Sequence, residues 1–179
     1  RSGKIAIFTG CLLDFVYVDI ATDVVKALNM AGYIVEMPLG QACCGAPATY
    51  MGDVENAKKA AEMNLNAMEA EKYDYIVSAC PTCTHALRDY VDFFKDDPEM
   101  LKKAEELRSK TFDFCKLVSM LGGLPDTGDG VPMKVTYHDS CHLNRYLGVT
   151  KEQRELLKAT KGVELIEMHD CDKCCGFGE

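Results

Sequence analysis

The most constraining feature of this sequence is a pair of adjacent cysteines followed by glycine, Cys43-Cys44-Gly45. Two neighbouring thiols can supply two ligands to one inorganic centre, and few other structures need them side by side. Cys11 lies upstream of the pair, and a Cys-x-x-Cys motif follows it at Cys80 and Cys83. Each of these three groups follows an apolar run typical of a buried strand. The sequence therefore predicts a metal or iron–sulfur site assembled from three loops.

The same order of cysteines begins a second time with Cys141 and continues with Cys174-Cys175-Gly176. Cys141 follows Cys11 at nearly the same distance along the chain as Cys174 follows Cys43. We therefore interpret the sequence as an internal duplication. A second Cys-x-x-Cys motif in the register of Cys80 and Cys83 is absent before Glu179. Either residues beyond Glu179 supply it, which we favour, or Cys171 substitutes by forming its own Cys-x-x-Cys with Cys174. The start at Arg1, without Met, also predicts a fragment.

Alternation of strand and helix signals explains how cysteines distant in sequence could meet. We predict strands at residues 4–10, 33–38, 73–79, 133–139 and 163–168, each of which leads into a cysteine group. Strand, helix and strand in this order are typical of a parallel crossover, and open α/β sheets bind ligands at the carboxyl ends of their strands. The predicted fold is α/β, with two related lobes, each a small parallel sheet flanked by helices and carrying its cysteine cluster at those ends.

Helix signals and turn residues set the expected domain boundaries. Asp53 and Asp97 are predicted N-caps, and Thr150 with Gln153 forms a capping-box pattern. Gly, Pro and Asp are dense in residues 124–132, which we interpret as a linker. The first lobe is then residues 1–123, with the complete cysteine motif, and the second, incomplete lobe is residues 133–179.

Composition excludes several classes of function. The net charge of -8 argues against a nucleic-acid surface, which needs clustered Lys and Arg to displace counterions from phosphates. No apolar run approaches the roughly 18 residues that span a bilayer. Ten cysteines without an export signal favour reduced thiols that bind metal in the cytoplasm over a disulfide scaffold.

Thiolates are soft ligands that select iron–sulfur clusters, zinc or copper(I). The first cysteine group has one thiol more than the four that fill a structural zinc site or hold a cubane cluster. Adjacent cysteines also suit a cubane poorly, so spacing favours an unusual polynuclear centre. Two alternatives remain open: a zinc-stabilised interaction module, and a dithiol-disulfide oxidoreductase in which Cys80 and Cys83 form a thioredoxin-type motif at a helix N-terminus.

Several motifs in fixed order resemble one known family. The matching segments are Phe8-Thr9-Gly10-Cys11, Ala42-Cys43-Cys44-Gly45-Ala46-Pro47, Cys80-Pro81-Thr82-Cys83, Tyr137-His138-Asp139-Ser140-Cys141-His142-Leu143-Asn144-Arg145 and Cys174-Cys175-Gly176-Phe177-Gly178. Together they resemble the cysteine-rich CCG domain. This domain is usually duplicated and occurs in heterodisulfide reductase and in the iron–sulfur subunits of glycolate oxidase, anaerobic glycerol-3-phosphate dehydrogenase and lactate-utilisation complexes.

The resemblance implies an oxidoreductase subunit that transfers electrons through a non-cubane [4Fe-4S] cluster. Its implied ligands are Cys11, Cys43, Cys44, Cys80 and Cys83. A second iron–sulfur cluster or zinc is implied at Cys141, Cys174 and Cys175, with Cys171 as the least supported member.

The implied partners are a flavoprotein, a ferredoxin-type subunit or both, and the electrons would pass to or from a disulfide, a quinone or a 2-hydroxy-acid dehydrogenase. We expect His138, Asp139 and His142, which flank Cys141, to orient the turn or to hydrogen-bond sulfur rather than to ligate metal.

Overall fold

The computed structural model describes residues 3–125 and 130–176. The chain divides into two compact units, Arg1–Phe114 and Cys115–Glu179. The lobes predicted at 1–123 and 133–179 stay a prediction, and residues 126–129 of the predicted linker lie outside the described residues. Within the described part, no helix is both long enough and apolar enough to cross a membrane.

The first unit is built on a parallel four-stranded sheet. Its strands are β1 (Lys4–Ile7), β2 (Ile34–Glu36), β3 (Tyr75–Ser78) and β4 (Thr111–Asp113), in the order β2-β1-β3-β4. All three neighbouring pairs are parallel. The α/β class and the parallel sheet predicted from the sequence are thus confirmed, but β4 was not predicted. A strand of three residues that follows a helix directly is too short for its periodicity to be recognised.

Helices connect these strands. They are α1 (Gly10–Phe15), α2 (Val18–Met30), α3 (Ala46–Tyr50), α4 (Val54–Met68), α5 (Pro81–Asp89) and α6 (Pro98–Lys110), with 3₁₀ turns at Ala70–Lys72 and Tyr90–Phe93. The predicted N-caps are confirmed, because Asp53 accepts from the Asn56 N–H and Asp97 from the Met100 N–H. The short helix α1 was not predicted. Within it Leu12 and Phe15 are exposed and only Gly10 and Leu13 are buried, so it shows no continuous apolar stripe of the kind that predicts a helix.

The core of the first unit lies on both sides of β1 and β3. Ile5, Ile7, Phe8, Ile76 and Val77 are all at most 1% exposed. Continuous apolar strands of this kind are expected in parallel sheets covered by helices on both faces. The loops that follow β1 and β3 therefore leave from the buried centre of the sheet.

The second unit repeats the beginning of the first. The helix α7 (Phe114–Met120) starts at the division between the units, and β5 (Met133–Val135), a π-helical turn (His142–Tyr146), α8 (Glu152–Ala159) and β6 (Val163–Leu165) follow. The strands β5 and β6 are parallel, with Met133 opposite Val163. In the first unit β1 and β2 are related in the same way, with Lys4 opposite Ile34. The duplicated strand-helix-strand order predicted from the sequence is present.

The predicted capping box at the start of α8 is wrong. Lys151 is the N-cap and makes no side-chain capping bond. The Glu152 carboxylate accepts the N–H groups of Thr150 and Lys151, whereas the Gln153 side chain turns inward and donates to the Val149 carbonyl. A charged carboxylate one residue earlier is a stronger acceptor than the amide of Gln153.

Candidate functional site

Three loops bring cysteines to the carboxyl edge of the first sheet. Cys11 lies in the first turn of α1 after β1, Cys43 and Cys44 lie in the loop after β2, and Cys80 and Cys83 follow β3. Cys44 and Cys83 are only 4% and 6% exposed, Cys43 and Cys80 are half-buried, and Cys11 is exposed. The site is thus closed on the side of the core and open on the side of Cys11.

The buried thiols contact one another. Cys43 hydrogen-bonds Cys44, and Cys83 hydrogen-bonds both Cys44 and Cys80. The bonds that Cys44 accepts from Cys43 and Cys83 lower the pKa of Cys44, and the same bonds together with burial raise the pKa of Cys43 and of Cys83. Cys11 is close enough to Cys43 for its charge to contribute to the raised pKa of Cys43. The four inner thiols therefore form one connected set, with Cys11 beside it.

The Cys-Pro-Thr-Cys segment is a helix start. Pro81 is the first residue of α5, where its missing N–H costs nothing, and Cys80 is the N-cap. Sγ of Cys80 accepts the Cys83 N–H at 3.4 Å. The hydrogen bond from the Cys83 thiol and this backbone bond lower the pKa of Cys80. The spacing of two residues between the cysteines thus turns both sulfur atoms toward the same end of the helix.

Gly10 makes room for the thiol of Cys83. Its φ of +58° lies in the left-handed region that favours glycine. A Cβ atom at this position would lie 3.0 Å from Sγ of Cys83. The backbone after β1 can therefore pass directly against this sulfur only because residue 10 has no side chain.

Sequence reasoning missed the polar side chains that hold the loop of Cys43 and Cys44. Gln41 Nε2 donates to the Ile7 carbonyl at 2.9 Å and to the Pro38 carbonyl at 3.0 Å, and its Oε1 accepts the Thr9 N–H at 3.1 Å. These bonds tie the loop after β2 to the end of β1. They place Cys43 and Cys44 beside the loop that carries Cys11.

Asn64 and Tyr90 bind the same loop from inside the core. Asn64 is fully buried and Tyr90 is 1% exposed. Asn64 Nδ2 donates to the Cys43 carbonyl and to the Tyr90 hydroxyl, both at 2.9 Å, and the Tyr90 hydroxyl donates to the Cys44 carbonyl at 2.9 Å. Asn64 lies among Ala57, Ala61, Leu65 and Met68 on the buried face of α4. An asparagine on an otherwise apolar helix face was the available signal, since such a group needs buried partners.

The donor set at this edge fits a thiolate-bound centre. Every member is a sulfur atom, which suits iron–sulfur clusters, zinc or copper(I), and the glycine backbone leaves space beside Cys83. Over residues 3–125 and 130–176, however, no three His, Cys, Asp or Glu side chains are grouped so as to hold a metal ion. The thiols are instead linked in series by hydrogen bonds, with the buried sulfur atoms next to one another.

The cysteines of the second unit have different neighbours. Cys141 and Cys171 are half-buried, whereas Cys174 and Cys175 are exposed. Sγ of Cys141 lies 3.8 Å from Nδ1 of the buried His142, and Sγ of Cys174 accepts the Gly176 N–H at 3.4 Å. In this unit the contacts described for these thiols are with other groups rather than with one another. Phe177 and Gly178, which belong to the last matching segment, lie outside the described residues.

Arg154 is the centre of the second unit's polar network. Its guanidinium binds both oxygens of the buried Asp139 at 2.8 and 2.9 Å and both oxygens of Glu167 at 2.7 and 3.1 Å. Its Nη2 also donates to Sγ of Cys171 at 3.3 Å, and the Asp139 N–H donates to the Cys171 carbonyl at 2.7 Å. The Arg154 hydrogen bonds hold the pKa of Asp139 below its usual value. Asp139 thus orients the loops through its bonds to Arg154. Separately, Nε2 of His138 lies 2.7 Å from the carbonyl oxygen of Lys173.

Comparison with known proteins defines the class to which this arrangement belongs. The family model of the cysteine-rich CCG domain matches residues 5–88 and 135–179, so each of its two matches covers one cysteine pattern. The chain belongs to the cysteine-rich CCG domain family. This confirms the resemblance drawn from the motifs, and the first match, residues 5–88, contains β2, β3 and all but the first residue of β1.

Within this family the chain is similar to lactate utilization protein A. It is 38% identical to the protein of that name from Bacillus velezensis over 175 residues, which cover 98% of this chain and 73% of the relative. The proteins of that name from Bacillus subtilis and Shouchella clausii are each 37% identical over the same length, with 73% and 72% of the relative covered. These relatives are longer than the present chain.

Proposed function

We propose that this chain is an iron–sulfur electron-transfer subunit, or part of one, of an oxidoreductase that acts in lactate utilisation. The observation that carries the proposal is the meeting of thiols from three loops at the carboxyl edge of the first sheet. The non-cubane [4Fe-4S] cluster implied by the family resemblance would be held there by Cys11, Cys43, Cys44, Cys80 and Cys83. The names of the relatives supply the link to lactate, a 2-hydroxy acid.

When bound, such a cluster supplies one-electron redox chemistry that the protein alone lacks. The residues of the chain bind and shield it. Cys44 and Cys83 are anchored in the core and exclude water from the inner side, whereas the exposed Cys11 keeps the outer side within reach of a partner. A flavoprotein, a ferredoxin-type subunit or both would exchange electrons at this opening, in the cytoplasm. The acceptor would be a quinone or a disulfide.

The second unit would hold a second iron–sulfur cluster or zinc through Cys141, Cys174 and Cys175. The family match to residues 135–179 supports this assignment. Cys171 is the weakest candidate ligand, because its thiol already binds Arg154 and its backbone carbonyl binds Asp139.

Anaerobic purification and reconstitution test the proposal. We expect a brown protein with broad visible absorption, bound iron and acid-labile sulfide, and a paramagnetic signal in one redox state. A colourless protein with stoichiometric zinc at both sites would contradict the proposal and would favour a zinc-stabilised interaction module. The control is the Cys115→Ser variant, because Cys115 lies on α7 and belongs to neither cysteine group.

A dithiol-disulfide oxidoreductase is the second candidate, and the position of Cys80 as the N-cap of α5 favours it. In that case Cys80→Ser abolishes thiol-disulfide exchange, whereas Cys43→Ser leaves it intact. Equal loss of bound iron in both variants supports the iron–sulfur site instead. The two variants therefore separate the candidates, because Cys43 has no role in a two-cysteine mechanism.

A further inference from the structure

Two buried side chains bind the backbone of three consecutive residues at the first cysteine site. The Ala42 N–H donates to Asn64 Oδ1 at 2.8 Å, the Cys43 carbonyl accepts from Asn64 Nδ2 and the Cys44 carbonyl accepts from the Tyr90 hydroxyl. The amide of Asn64 is used completely, since its second N–H donates to the Tyr90 oxygen. This arrangement determines the direction of each peptide group in the loop.

A trans peptide group points its N–H away from its carbonyl oxygen. Because the Cys43 carbonyl faces Asn64 in the core, the N–H of Cys44 points to the opposite side. Because the Cys44 carbonyl faces Tyr90, the N–H of Gly45 also points away from Tyr90, and its interaction with the thiolate of Cys43 acts to lower the pKa of Cys43. The Ala46 N–H follows, and its interaction with the thiolate of Cys44 helps to lower the pKa of Cys44. The carbonyls of Cys43 and Cys44 thus point into the core, and the N–H groups of Gly45 and Ala46 lie on the side of the cysteine sulfur atoms.

Hydrogen bonds to ligand sulfur atoms are one of the means by which proteins set the reduction potential of an iron–sulfur centre. They stabilise the more negatively charged, reduced state, and so they raise the potential. The N–H groups of Gly45 and Ala46 can act in this way only while the loop keeps its present orientation. Asn64 and Tyr90 hold that orientation from the other side of the same peptide groups.

We propose that Asn64 and Tyr90 are positioning residues that raise the reduction potential of the first site, by holding the N–H groups of the Cys43–Ala46 segment toward its sulfur atoms. The proposal rests on the proposed function, because it assumes a redox centre at this site. Neither side chain contacts sulfur through its own hydrogen bonds. Both act through the backbone carbonyls of Cys43 and Cys44.

The variant Tyr90→Phe removes one hydroxyl and keeps the aromatic ring in the core. Tyr73→Phe is the matched control, because Tyr73 is also buried and its hydroxyl bonds to Glu36 at 3.1 Å instead of the cysteine loop. After anaerobic reconstitution we expect the wild-type chain, Tyr90→Phe and Tyr73→Phe to bind the same amount of iron. The midpoint potential of Tyr90→Phe should be lower than that of the wild-type chain, and Tyr73→Phe should match the wild type.

A second measurement follows the N–H groups themselves. In the metal-free chain, amide hydrogen exchange at Gly45 should be faster in Tyr90→Phe than in Tyr73→Phe, since the peptide group has lost its anchor. In the loaded protein, couplings to exchangeable deuterons detected by pulsed EPR should weaken. The variant Asn64→Leu removes two further bonds to the loop and should lower the potential more than Tyr90→Phe does.

An unchanged potential in Tyr90→Phe with full iron content would overturn this inference and leave the proposed function intact. Loss of iron in Tyr90→Phe, with Tyr73→Phe fully loaded, would also overturn it, because the hydroxyl would then be needed for assembly rather than for tuning. If the wild-type chain itself takes up no iron, the proposed function fails first, and the inference fails with it.

Discussion

The two cysteine sites share a sequence pattern but differ in how their thiols are held. In the first unit the cysteine loops follow strands of a four-stranded sheet. The free thiols of Cys43, Cys44, Cys80 and Cys83 interact with one another through hydrogen bonds. In the second unit the loops leave a sheet of two strands, and two of the four candidate cysteines are exposed. Cysteine spacing therefore places the cysteines in corresponding loops of the two units. Whether their sulfur atoms meet depends on the strands and helices around those loops.

The chemistry of the supporting side chains differs as well. Neutral groups, Asn64 and Tyr90, hold the first cysteine loop from within the core. In the second unit a guanidinium, Arg154, binds two carboxylates and a thiol. A neutral network leaves the charge of bound thiolates uncompensated except by N–H groups. Beside Cys171 the charge of Arg154 is paired with the carboxylates of Asp139 and Glu167, so an ionic network supports this loop where a neutral one supports the first.

Replacing one buried ligand should have the largest effect. In Cys83→Ser, we expect bound iron and visible absorption to fall to a small fraction of the wild-type values, since a hydroxyl is a poor substitute for a soft thiolate. Cys174→Ser, in the exposed group, should retain most of both. Iron and sulfide analysis after identical reconstitution measures the difference, with Cys115→Ser as the control for loss of a thiol elsewhere. Equal losses in the two ligand variants would remove the asymmetry between the sites.

Removing Arg154 should destabilise the second unit selectively. Arg154→Leu leaves the buried Asp139 without its partner, and breaking a buried ion pair in this way costs about 3 kcal/mol. We expect hydrogen exchange of the β6 amides to accelerate accordingly, while the amides of β1 remain protected. Lys134→Leu is the control, because its contact with Glu164 is exposed and contributes below about 1 kcal/mol. If both variants exchange alike, Arg154 does not hold this unit together.

Substituting a glycine should have the smallest of the three effects and should act on the first site alone. Gly10→Ala and Gly52→Ala both place alanine at a positive φ, at a cost of about 1–2 kcal/mol each. Only at Gly10 does the new Cβ approach Sγ of Cys83, since nothing lies within 4 Å at Gly52. We expect both variants to lose stability in thermal unfolding, Gly10→Ala more than Gly52→Ala because of this contact, but reduced iron uptake only in Gly10→Ala. Equal iron uptake would show that the contact with Cys83 is not limiting.

The fold class, the cysteine groups and the duplicated order of elements could be predicted from the amino-acid sequence alone. Apolar runs that end at Cys11, at the loop of Cys43 and at Cys80 predicted parallel strands with ligands at one edge. Such strands can be predicted because their periodicity and the turns that end them depend on residues close together in the sequence. The caps at Asp53 and Asp97 were predictable for the same reason, since each bonds to a residue three positions later. Short elements such as β4 and α1 were not, because they are too short or too exposed to show a period.

The side chains that support the thiols could be identified only from the folded chain. Asn64 and Tyr90 are 26 residues apart and meet the Cys43–Cys44 loop through hydrogen bonds across the core. Arg154 and Asp139 meet in the same way, through the folding of α8 against the loop after β5. No local pattern contains such pairs, because a buried polar side chain is satisfied by whichever groups the packing of helices and strands brings to it.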